Sequence, residues 1–298
     1  MTTATIYTIT KGNYKYGVIA LINSLRFCGI ENEIIIGTDK EIIELTAHKN
    51  IKQVIIDSDW NPTNLKGKLI LDNSANNFIF FDADIIVNSA KFVRVVEKYI
   101  AQGKFCAVID GVVPENDYRR HLWRTVAPSD LGISSSWYYN AGFFAGNSTL
   151  HLDFLTKWFN LIETTLDPTK FLFENEDFPM ADQDIYNCLL QNVSSEDIVS
   201  FSPSDWLGIS TQVNPFFQIG NFRPHAFIHC TGEHKPWKMN GLPKQAPNEY
   251  DIKWYDFIFN PENTIKVNFR LNKVQHQWFK NKIQIRILRK IKNRLNLS

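Results

Sequence analysis

Two aspartates stand one residue apart where a long apolar run ends. The run occupies residues 78–81, and Asp82 and Asp84 follow it. Because the side chains of a strand alternate between its two faces, both carboxylates are predicted to point the same way. Two hard oxygen ligands in that arrangement suit Mg²⁺ or Mn²⁺, with substrate phosphates completing the coordination shell. Aspartate is also common where a strand turns into solvent, so the pattern alone leaves both interpretations open.

Hydroxyl and aromatic side chains follow the first predicted strand. Thr8 and Thr10 lie at its end, and Tyr14 comes shortly after it. A loop in this place could hold a nucleotide base, with threonine hydroxyls and backbone groups as hydrogen-bonding partners and the tyrosine ring as a stacking surface. An ordinary turn is the simpler interpretation of this loop when it is considered without the other motifs.

Two later segments combine amide or carboxylate groups with small residues or a helix start. Asn140 offers a donor and an acceptor to a hydroxyl group, while Ala141 and Gly142 permit close backbone approach by a ligand. A strand with a bulge is the alternative for this segment. Asp182 and Gln183 begin a predicted helix, where they either face a substrate or serve as its cap.

A histidine lies at the end of a short apolar segment near residue 230. His229 could add a nitrogen ligand to a carboxylate-bound metal. Gly232 exposes backbone amides, and Lys235 supplies positive charge for a phosphate. A single histidine is more often structural, but here it is followed closely by this glycine and lysine.

The elements that must position these residues alternate between strand and helix. Strands are predicted at residues 5–10, 33–37, 53–56, 78–81, 105–109, 137–146 and 226–230. Helices are predicted at residues 16–27, 40–48, 65–72, 90–101, 150–161 and 181–191, while residues 112–137 and 171–179 are expected to be loops. This alternation predicts an α/β fold with a mainly parallel sheet and helices on both faces. Ligands of such sheets bind beyond the carboxyl ends of the strands, where Asp82 and Asp84 lie.

The composition is that of an ordinary globular protein. The chain has 298 residues and a formal net charge of +1, which argues against a general nucleic-acid binder. Four scattered cysteines form no metal-binding pair and are expected to be buried free thiols. No signal-peptide pattern and no run approaching a membrane span is present, so a cytoplasmic location is predicted.

The C-terminal segment, residues 275–298, is strongly basic. It contains no acid, and its apolar residues Ile283, Ile287, Ile291 and Leu295 recur every four positions after Trp278 and Phe279. A basic amphipathic helix headed by these two aromatic residues is typical of a peripheral contact with an anionic membrane surface, here the inner face of the membrane. A helix docked on the core with a solvated basic face is the alternative.

Taken in order, these motifs resemble family 8 glycosyltransferases, which include glycogenin and bacterial lipopolysaccharide and lipooligosaccharide galactosyl- and glucosyltransferases. The resemblance extends from Thr5 to about Trp237. Its motifs are Thr-x-Thr-x-x-x-Tyr at residues 8–14, Phe-Asp-Ala-Asp at 81–84, Asn-Ala-Gly at 140–142, Asp-Gln at 182–183 and His-x-x-Gly-x-x-Lys-Pro-Trp at 229–237. Lys11 and Gly12 differ from the Asn-Asp of glycogenin at those positions.

The resemblance implies a GT-A fold, with a Rossmann-like nucleotide-binding half at about residues 1–110 and an acceptor-binding half at about 111–240. Residues 241–298 would then form an extension. It further implies transfer of glucose or galactose from a UDP-sugar to an acceptor hydroxyl, usually with Mn²⁺ and with retention of the anomeric configuration. The acceptor would be a surface glycan or glycolipid.

The resemblance also implies roles for individual residues. The metal ligands would be Asp82, Asp84 and His229. The uridine would be held by Thr8, Thr10 and Tyr14. The diphosphate would contact Gly232 and Lys235, and the donor would be reached by Lys66. The donor sugar would be surrounded by Asp110, Asn140, Ala141, Gly142, Asp182 and Gln183, of which the last two are the candidates for stabilising the reacting carbon.

Three other functions remain open from the sequence. A glycogenin-like self-glucosylating protein would need an acceptor tyrosine, and residues 208–217 contain none. A nucleotide-sugar or glycan-binding module without turnover would need only part of these motifs. A nucleotidyltransferase on a similar sheet would typically carry a glycine-rich phosphate loop near its N-terminus, which residues 11–13 do not provide.

Overall fold

The structure is a computed structural model that describes residues 3–73, 75–128, 136–170, 172–209, 225–239, 241, 243 and 246–280. The strands are β1 (Thr5–Thr10), β2 (Ile34–Thr38), β3 (Ile51–Ile55), β4 (Asn77–Phe81), β5 (Ile85–Val87), β6 (Phe105–Val112), β7 (Trp137–Asn147), β8 (Ile198–Phe201), β9 (Trp206–Gly208) and β10 (Phe227–His229). The helices are α1 (Lys15–Phe27), α2 (Lys66–Asp72), α3 (Ala90–Ile100), α4 (Tyr118–Val126), α5 (Leu152–Thr165), α6 (Asp182–Leu190), α7 (Glu249–Phe259) and α8 (Lys273–Lys280).

A seven-stranded sheet forms the centre of the fold, in the order β3-β2-β1-β4-β7-β6-β8. The strands are parallel except β7, which pairs antiparallel with both β4 and β6. The chain proceeds outward from β1 to β3 and then returns to place β4 on the other side of β1. In parallel sheets the crevice at such a reversal is where ligands bind. The predicted α/β fold with a mainly parallel sheet is therefore confirmed.

Helices cover both faces of this sheet. Along β4, Phe78 and Phe80 belong to one apolar cluster while Ile79 and Phe81 belong to the other, as strand alternation requires. Buried residues of α1, α3, α7 and α8 join the cluster of Ile79 and Phe81. Those of α2, α5 and α6 join the cluster of Phe78 and Phe80. A second sheet, in the order β5-β10-β9, continues beyond the end of β4.

The helix predicted at residues 40–48 is wrong, because this segment contains only one 3₁₀ turn, at Ile43–Leu45. The side chain of Gln53 accepts a hydrogen bond from the backbone N–H of Ile42 and donates one to its carbonyl. These bonds satisfy the backbone locally without a helix. The expected loop at 112–137 also contains α4, which Asp117 caps by accepting from the N–H of Arg119.

The C-terminal region contains an element that the sequence patterns did not indicate. Helix α7 begins with a reciprocal capping box between Asn248 and Asp251, and its Trp254 is fully buried. Trp278 and Phe279 are buried as well, so the prediction that these aromatics head a membrane-facing helix is wrong for this pair. The phenyl ring of Phe279 packs on Trp254 of α7 and the indole of Trp278 packs on Phe279, which removes both rings from water. The remainder of the basic segment, 281–298, lies outside the described residues.

Two further observations concern the chemistry of the chain and its relation to membranes. Cys106, Cys188 and Cys230 are buried free thiols, as expected, whereas Cys28 is a free thiol that is only half-buried. Among the residues that the structure describes, no helix has the length and apolar character needed to cross a membrane.

Candidate functional site

The two aspartates lie in a turn between β4 and β5, at the reversal in strand order. The N–H of Asp82 donates to the carbonyl of Gly142 over 2.8 Å, which ties the turn to β7. The N–H of Cys230 donates to the carbonyl of Asp84 over 3.0 Å, which ties it to the segment after β10. These bonds bring three distant parts of the sequence to one place.

Asp82, Asp84 and His229 converge as a group that can hold a divalent metal ion. The Nε2 atom of His229 lies 3.1 Å from Oδ1 of Asp84 and 3.7 Å from Oδ2 of Asp82. The potential ligand atoms of the three residues all lie within 4.8 Å of one another. His229 reaches the carboxylates because β10 pairs antiparallel with β5, which places His229 opposite Ile85. Two carboxylates and one imidazole are a donor set that suits Mn²⁺ and related divalent cations.

Gly142 leaves the space beside this group open. A Cβ atom at this position would stand 2.3 Å from Cε1 of His229 and 2.8 Å from Oδ2 of Asp82. Such distances are far below van der Waals contact, so only glycine fits without displacing a ligand. Gly17 acts similarly beneath the turn, where a Cβ would stand 2.4 Å from the carbonyl oxygen of Ala83.

Lys235 adds a buried ammonium group to the site. Its Nζ lies 2.6 Å from Oδ2 of Asp84 and also donates to the carbonyl of Cys230. Burial alone would raise the pKa of Asp84, but Lys235 and His229 beside it hold that pKa well below its ordinary value. Burial opposes the charge of Lys235 as well, yet the carboxylate of Asp84 raises the pKa of the lysine. Both partners are therefore charged at neutral pH.

A second buried lysine connects the metal-capable group to the start of α6. The Nζ of Lys66 lies 3.0 Å from Oδ1 of Asp82 and 3.1 Å from Oδ2 of Asp182, and it donates to the carbonyl of Ala141 over 3.0 Å. Burial raises the pKa of Asp182 to about 6, and the charge of Lys66 opposes this shift. The ammonium group of Lys66 is thus used in holding protein groups together.

The neighbouring edge of the site is a network of amide and carboxylate groups. Oδ2 of Asp110 accepts from Nδ2 of Asn140 over 3.3 Å and from Nε2 of Gln183 over 3.2 Å. The oxygen of the Gln183 amide accepts from the N–H of Ala141, and that of Asn140 accepts from the N–H of Gly142. Asp110 is exposed to solvent, whereas Asn140 and Gln183 are buried. The amide groups of Asn140 and Gln183 therefore hold the Asp110 carboxylate in place and leave it open to solvent.

The residues predicted to hold a nucleotide base lie at the carboxyl end of β1. The hydroxyl groups of Thr8 and Thr10 are buried and have no hydrogen-bond partner among the described residues. The ring of Tyr14 packs edge-on against Trp237 with 5.3 Å between centroids, and Nζ of Lys238 lies 4.6 Å from its ring centre. Burial raises the pKa of Tyr14, an effect that the nearby charge of Lys235 opposes. The charges of Asp84 and Asp82 also act on the Tyr14 hydroxyl, and they raise its pKa further.

Gly232, a predicted diphosphate contact, is bonded away from the metal-capable group. Its N–H donates to the carbonyl of Ile209 over 3.1 Å, and the residue is half-buried. The other predicted residues are brought together by tertiary structure, since they come from β1, α2, the β4–β5 turn, β6, β7, α6 and the segment after β10.

Two residues of α6 without an assigned role from the sequence, Asn187 and Asp184, support the site. Oδ1 of Asn187 accepts from the N–H of Tyr139 over 2.6 Å, and its Nδ2 donates to the carbonyls of Tyr139 and Gln183. Oδ1 of Asp184 accepts from the hydroxyl of Tyr138 over 2.8 Å. Asn187 stands four residues after Gln183, a spacing that places both on one helix face and could have indicated this contact.

No protein-family model matches the sequence, and no curated protein matches it either. Solved glycosyltransferase structures do match. The bifunctional glycosyltransferase WbbM aligns at 15% identity with a TM-score of 0.59, over 94% of this chain and 52% of WbbM. An active-site mutant of LgtC aligns at 16% identity with a TM-score of 0.52, over 85% of this chain and 94% of LgtC.

A third solved structure, the glycosyltransferase GlyE of Streptococcus pneumoniae TIGR4, aligns at 13% identity with a TM-score of 0.52, over 95% of this chain and 64% of GlyE. The chain thus spans less than two thirds of the length of WbbM and of GlyE. At these identities the likeness concerns the fold. The fold of this protein is that of the GT-A glycosyltransferases.

Proposed function

We propose that this protein is a metal-dependent glycosyltransferase that transfers glucose or galactose from a UDP-sugar to an acceptor hydroxyl. The observation that carries this proposal is the convergence of Asp82, Asp84 and His229 at the strand-order reversal of a GT-A fold. Lys235 and the Asp110 network stand beside this group and support the proposal, because a sugar nucleotide needs cationic groups for its diphosphate and hydrogen-bonding groups for its sugar. In this proposal residues 1–240 form the catalytic domain.

The chemistry assigned to these residues follows from the charge that develops in the reaction. When bound, Mn²⁺ or Mg²⁺ would neutralise negative charge on the departing diphosphate. Lys235 would stabilise the same charge with its ammonium group, an effect that is stronger in the transition state than in the ground state. Asp110, Asn140 and Gln183 would orient the hydroxyl groups of the sugar. Thr8, Thr10 and Tyr14 would bind the uridine, whose polar edge could satisfy the two buried hydroxyls.

Retention of configuration is assigned to front-face attack by the acceptor hydroxyl. Asp182 is paired with Lys66, and both ends of the Gln183 amide are hydrogen-bonded to other groups. In this proposal Asp182 and Gln183 stabilise positive charge at the anomeric carbon. Because their side chains are held by these contacts, neither is expected to act as a nucleophile. The acceptor proton would pass to the oxygen of the departing phosphate. Trapping a glycosylated Asp182 would contradict this assignment.

The proposed acceptor is a glycan or a glycolipid at a membrane surface. The basic segment at 281–298 would bind anionic lipids and bring the protein to its acceptor. A soluble oligosaccharide acceptor would not require this segment. Activity on soluble acceptors should therefore be separable from binding to membranes.

The deciding experiment is a screen for UDP release from UDP-glucose, UDP-galactose and their N-acetyl forms, with and without Mn²⁺ or Mg²⁺. We expect metal-dependent release that is abolished in Asp84→Asn and His229→Gln. The matched control is Asp153→Asn, which alters an exposed carboxylate on α5 and should leave release unchanged. Release that is independent of metal, or that persists in both site variants, would refute the proposal. The intact mass of the protein distinguishes transfer to an acceptor from self-glycosylation, which alone adds hexose to the chain.

A further inference from the structure

A cavity of about 310 Å³ opens between the edge strand β3, helix α2 and helix α5. Its floor is apolar, with Val54 and Ile56 from the strand side and Leu69 from α2. Trp60 and Phe159 complete the floor and are both half-buried. A volume of this size falls at the lower end of the range of small-molecule sites in proteins. We refer to this cavity as the β3–α2 groove.

The groove is separate from the metal-capable group. Lys66 points from α2 toward Asp82 and Asp182, while Lys68, two residues later, lines the groove. Residues two apart on an α-helix lie about 200° apart around its axis. Helix α2 therefore stands between the two sites, and the groove needs its own functional explanation.

Two aromatic rings provide the main apolar surface of the groove. The rings of Trp60 and Phe159 stack with 5.4 Å between centroids and 27° between planes. Nζ of Lys68 lies 5.5 Å from the centre of the Phe159 ring, and this cation–π contact helps to hold the ring in place. An aromatic face carries partial negative charge and attracts weakly polarised C–H groups. A pyranose ring presents such C–H groups on its flat faces.

The rim of the groove carries oxygen acceptors. Asp57, Ser58, Asp72 and Asn73 all line it. Lys68 pairs with Asp72 at 2.8 Å, and Lys52 donates to Oδ1 of Asn73 over 3.0 Å. Asp57 is therefore the lining carboxylate whose negative charge no cation of the described residues offsets. This balance disfavours phosphates and acidic sugars. Carboxylate, hydroxyl and amide oxygens instead suit the O–H donors at the edge of a neutral sugar.

We propose that the β3–α2 groove binds one neutral hexopyranose unit of a glycan, with Trp60 as the stacking surface and Asp57 as the principal hydroxyl acceptor. This proposal does not depend on the function assigned to the metal-capable group. The combination of stacked aromatic rings with the Asp57 carboxylate at the rim favours a sugar over a purely apolar ligand, which would desolvate Asp57 without offering it a hydrogen-bond donor.

Binding is tested on the full-length protein by saturation-transfer difference NMR with methyl glucosides and methyl galactosides of both anomeric forms. We expect a signal from at least one of these sugars with the wild-type protein. Trp60→Leu and Asp57→Asn should each weaken the apparent affinity about tenfold, which corresponds to about 1.4 kcal/mol. Asp57→Asn changes an exposed side chain, so it still tests the groove if Trp60→Leu does not fold.

Two control variants locate the signal. Trp137→Leu removes an indole that is 45% exposed and lies outside the groove, and Asp84→Asn alters the metal-capable group. Both should retain the sugar signal. Absence of any signal from the wild-type protein, or loss of the signal only in Asp84→Asn, would overturn the proposal. So would a change of oligomeric state in Trp60→Leu without loss of sugar binding, since a second copy of the chain would then be the occupant.

Discussion

Lys66 and Asp182 form a buried ion pair, with 3.1 Å between Nζ and Oδ2, that joins helix α2 to the first turn of α6. The same ammonium group lies 3.0 Å from Oδ1 of Asp82. One lysine thus sets the distance between the metal-capable group and the carboxylate proposed to face the reacting sugar. Lys66 is 2% exposed, so both contacts are largely desolvated.

Removing this lysine should destabilise the protein strongly. Lys66→Met leaves Asp82 and Asp182 without their common counter-charge, and we expect a loss of about 3 kcal/mol in the free energy of unfolding at neutral pH. Urea unfolding in metal-free buffer measures the effect. The matched control is Lys68→Met on the same helix, whose partner Asp72 is exposed, and its cost should stay below about 1 kcal/mol. Equal losses in the two variants would contradict the assigned role of Lys66.

The ionisation of Asp182 should make stability depend on pH. Burial raises the pKa of Asp182 from 3.8 to about 6, so between these values the folded protein retains a proton that the unfolded chain has released. The stabilising contribution of this group is complete below pH 3.8 and is lost as the pH rises through about 6. We expect Asp182→Asn to remove a fall on the order of 2 kcal/mol across this window, measured by urea unfolding in the presence of a chelator. An identical pH profile in the variant would argue against the shift.

Gly142 should control access of a metal ion to the metal-capable group. In Gly142→Ala the new methyl group would stand 2.3 Å from Cε1 of His229, so the ring or β7 must move. We expect Mn²⁺ affinity to fall at least about a hundredfold, or about 2.7 kcal/mol, as measured by titration with Mn²⁺ electron paramagnetic resonance. Gly111→Ala is the control, because a Cβ at Gly111 meets nothing within 4 Å. Unchanged affinity in Gly142→Ala would show that the cation binds elsewhere.

The basic C-terminal segment should be removable without loss of the core. Trp278 and Phe279 are buried, so the truncation must follow Lys280 and leave both residues in place. We expect the protein lacking residues 281–298 to keep UDP release with soluble acceptors and to lose sedimentation with anionic liposomes. Neutral liposomes are the control for both proteins. Equal sedimentation of the truncated and full-length proteins would contradict a membrane role for this segment.

Much of the fold could be predicted because local periodicity and burial agree in it. The strand at Thr5–Thr10 and the helix at Lys15–Phe27 were expected from alternation and from a repeating apolar face, and tertiary contacts only reinforce these preferences. The prediction of a helix at residues 40–48 failed because Gln53, eleven residues from Ile42, supplies hydrogen bonds that a helix would otherwise make internally. Strands β5, β8 and β9 have three or four residues each, which is too short for a reliable period.

The candidate site, like the fold, could be predicted only in part from the sequence. The residue types and spacing of Asp82, Asp84 and His229 favour a divalent cation, because carboxylates and imidazole are a donor set that such ions use. Local patterns do not indicate that Lys66 holds Asp82 and Asp182 together, or that Gly142 leaves the space beside His229 open. Those relationships depend on distances between β4, β7, β10, α2 and α6, which are far apart along the chain.

The amino-acid sequence by itself determined the alternation of strands and helices and the chemical character of the site, since both follow from residue types at short spacing. Only the tertiary structure decided which charges are paired, because ion pairs such as Lys235–Asp84 join residues 151 positions apart. It also formed the β3–α2 groove, whose rings Trp60 and Phe159 come from a loop and a distant helix. Burial makes these long-range contacts energetically important, and burial is a property of the folded chain.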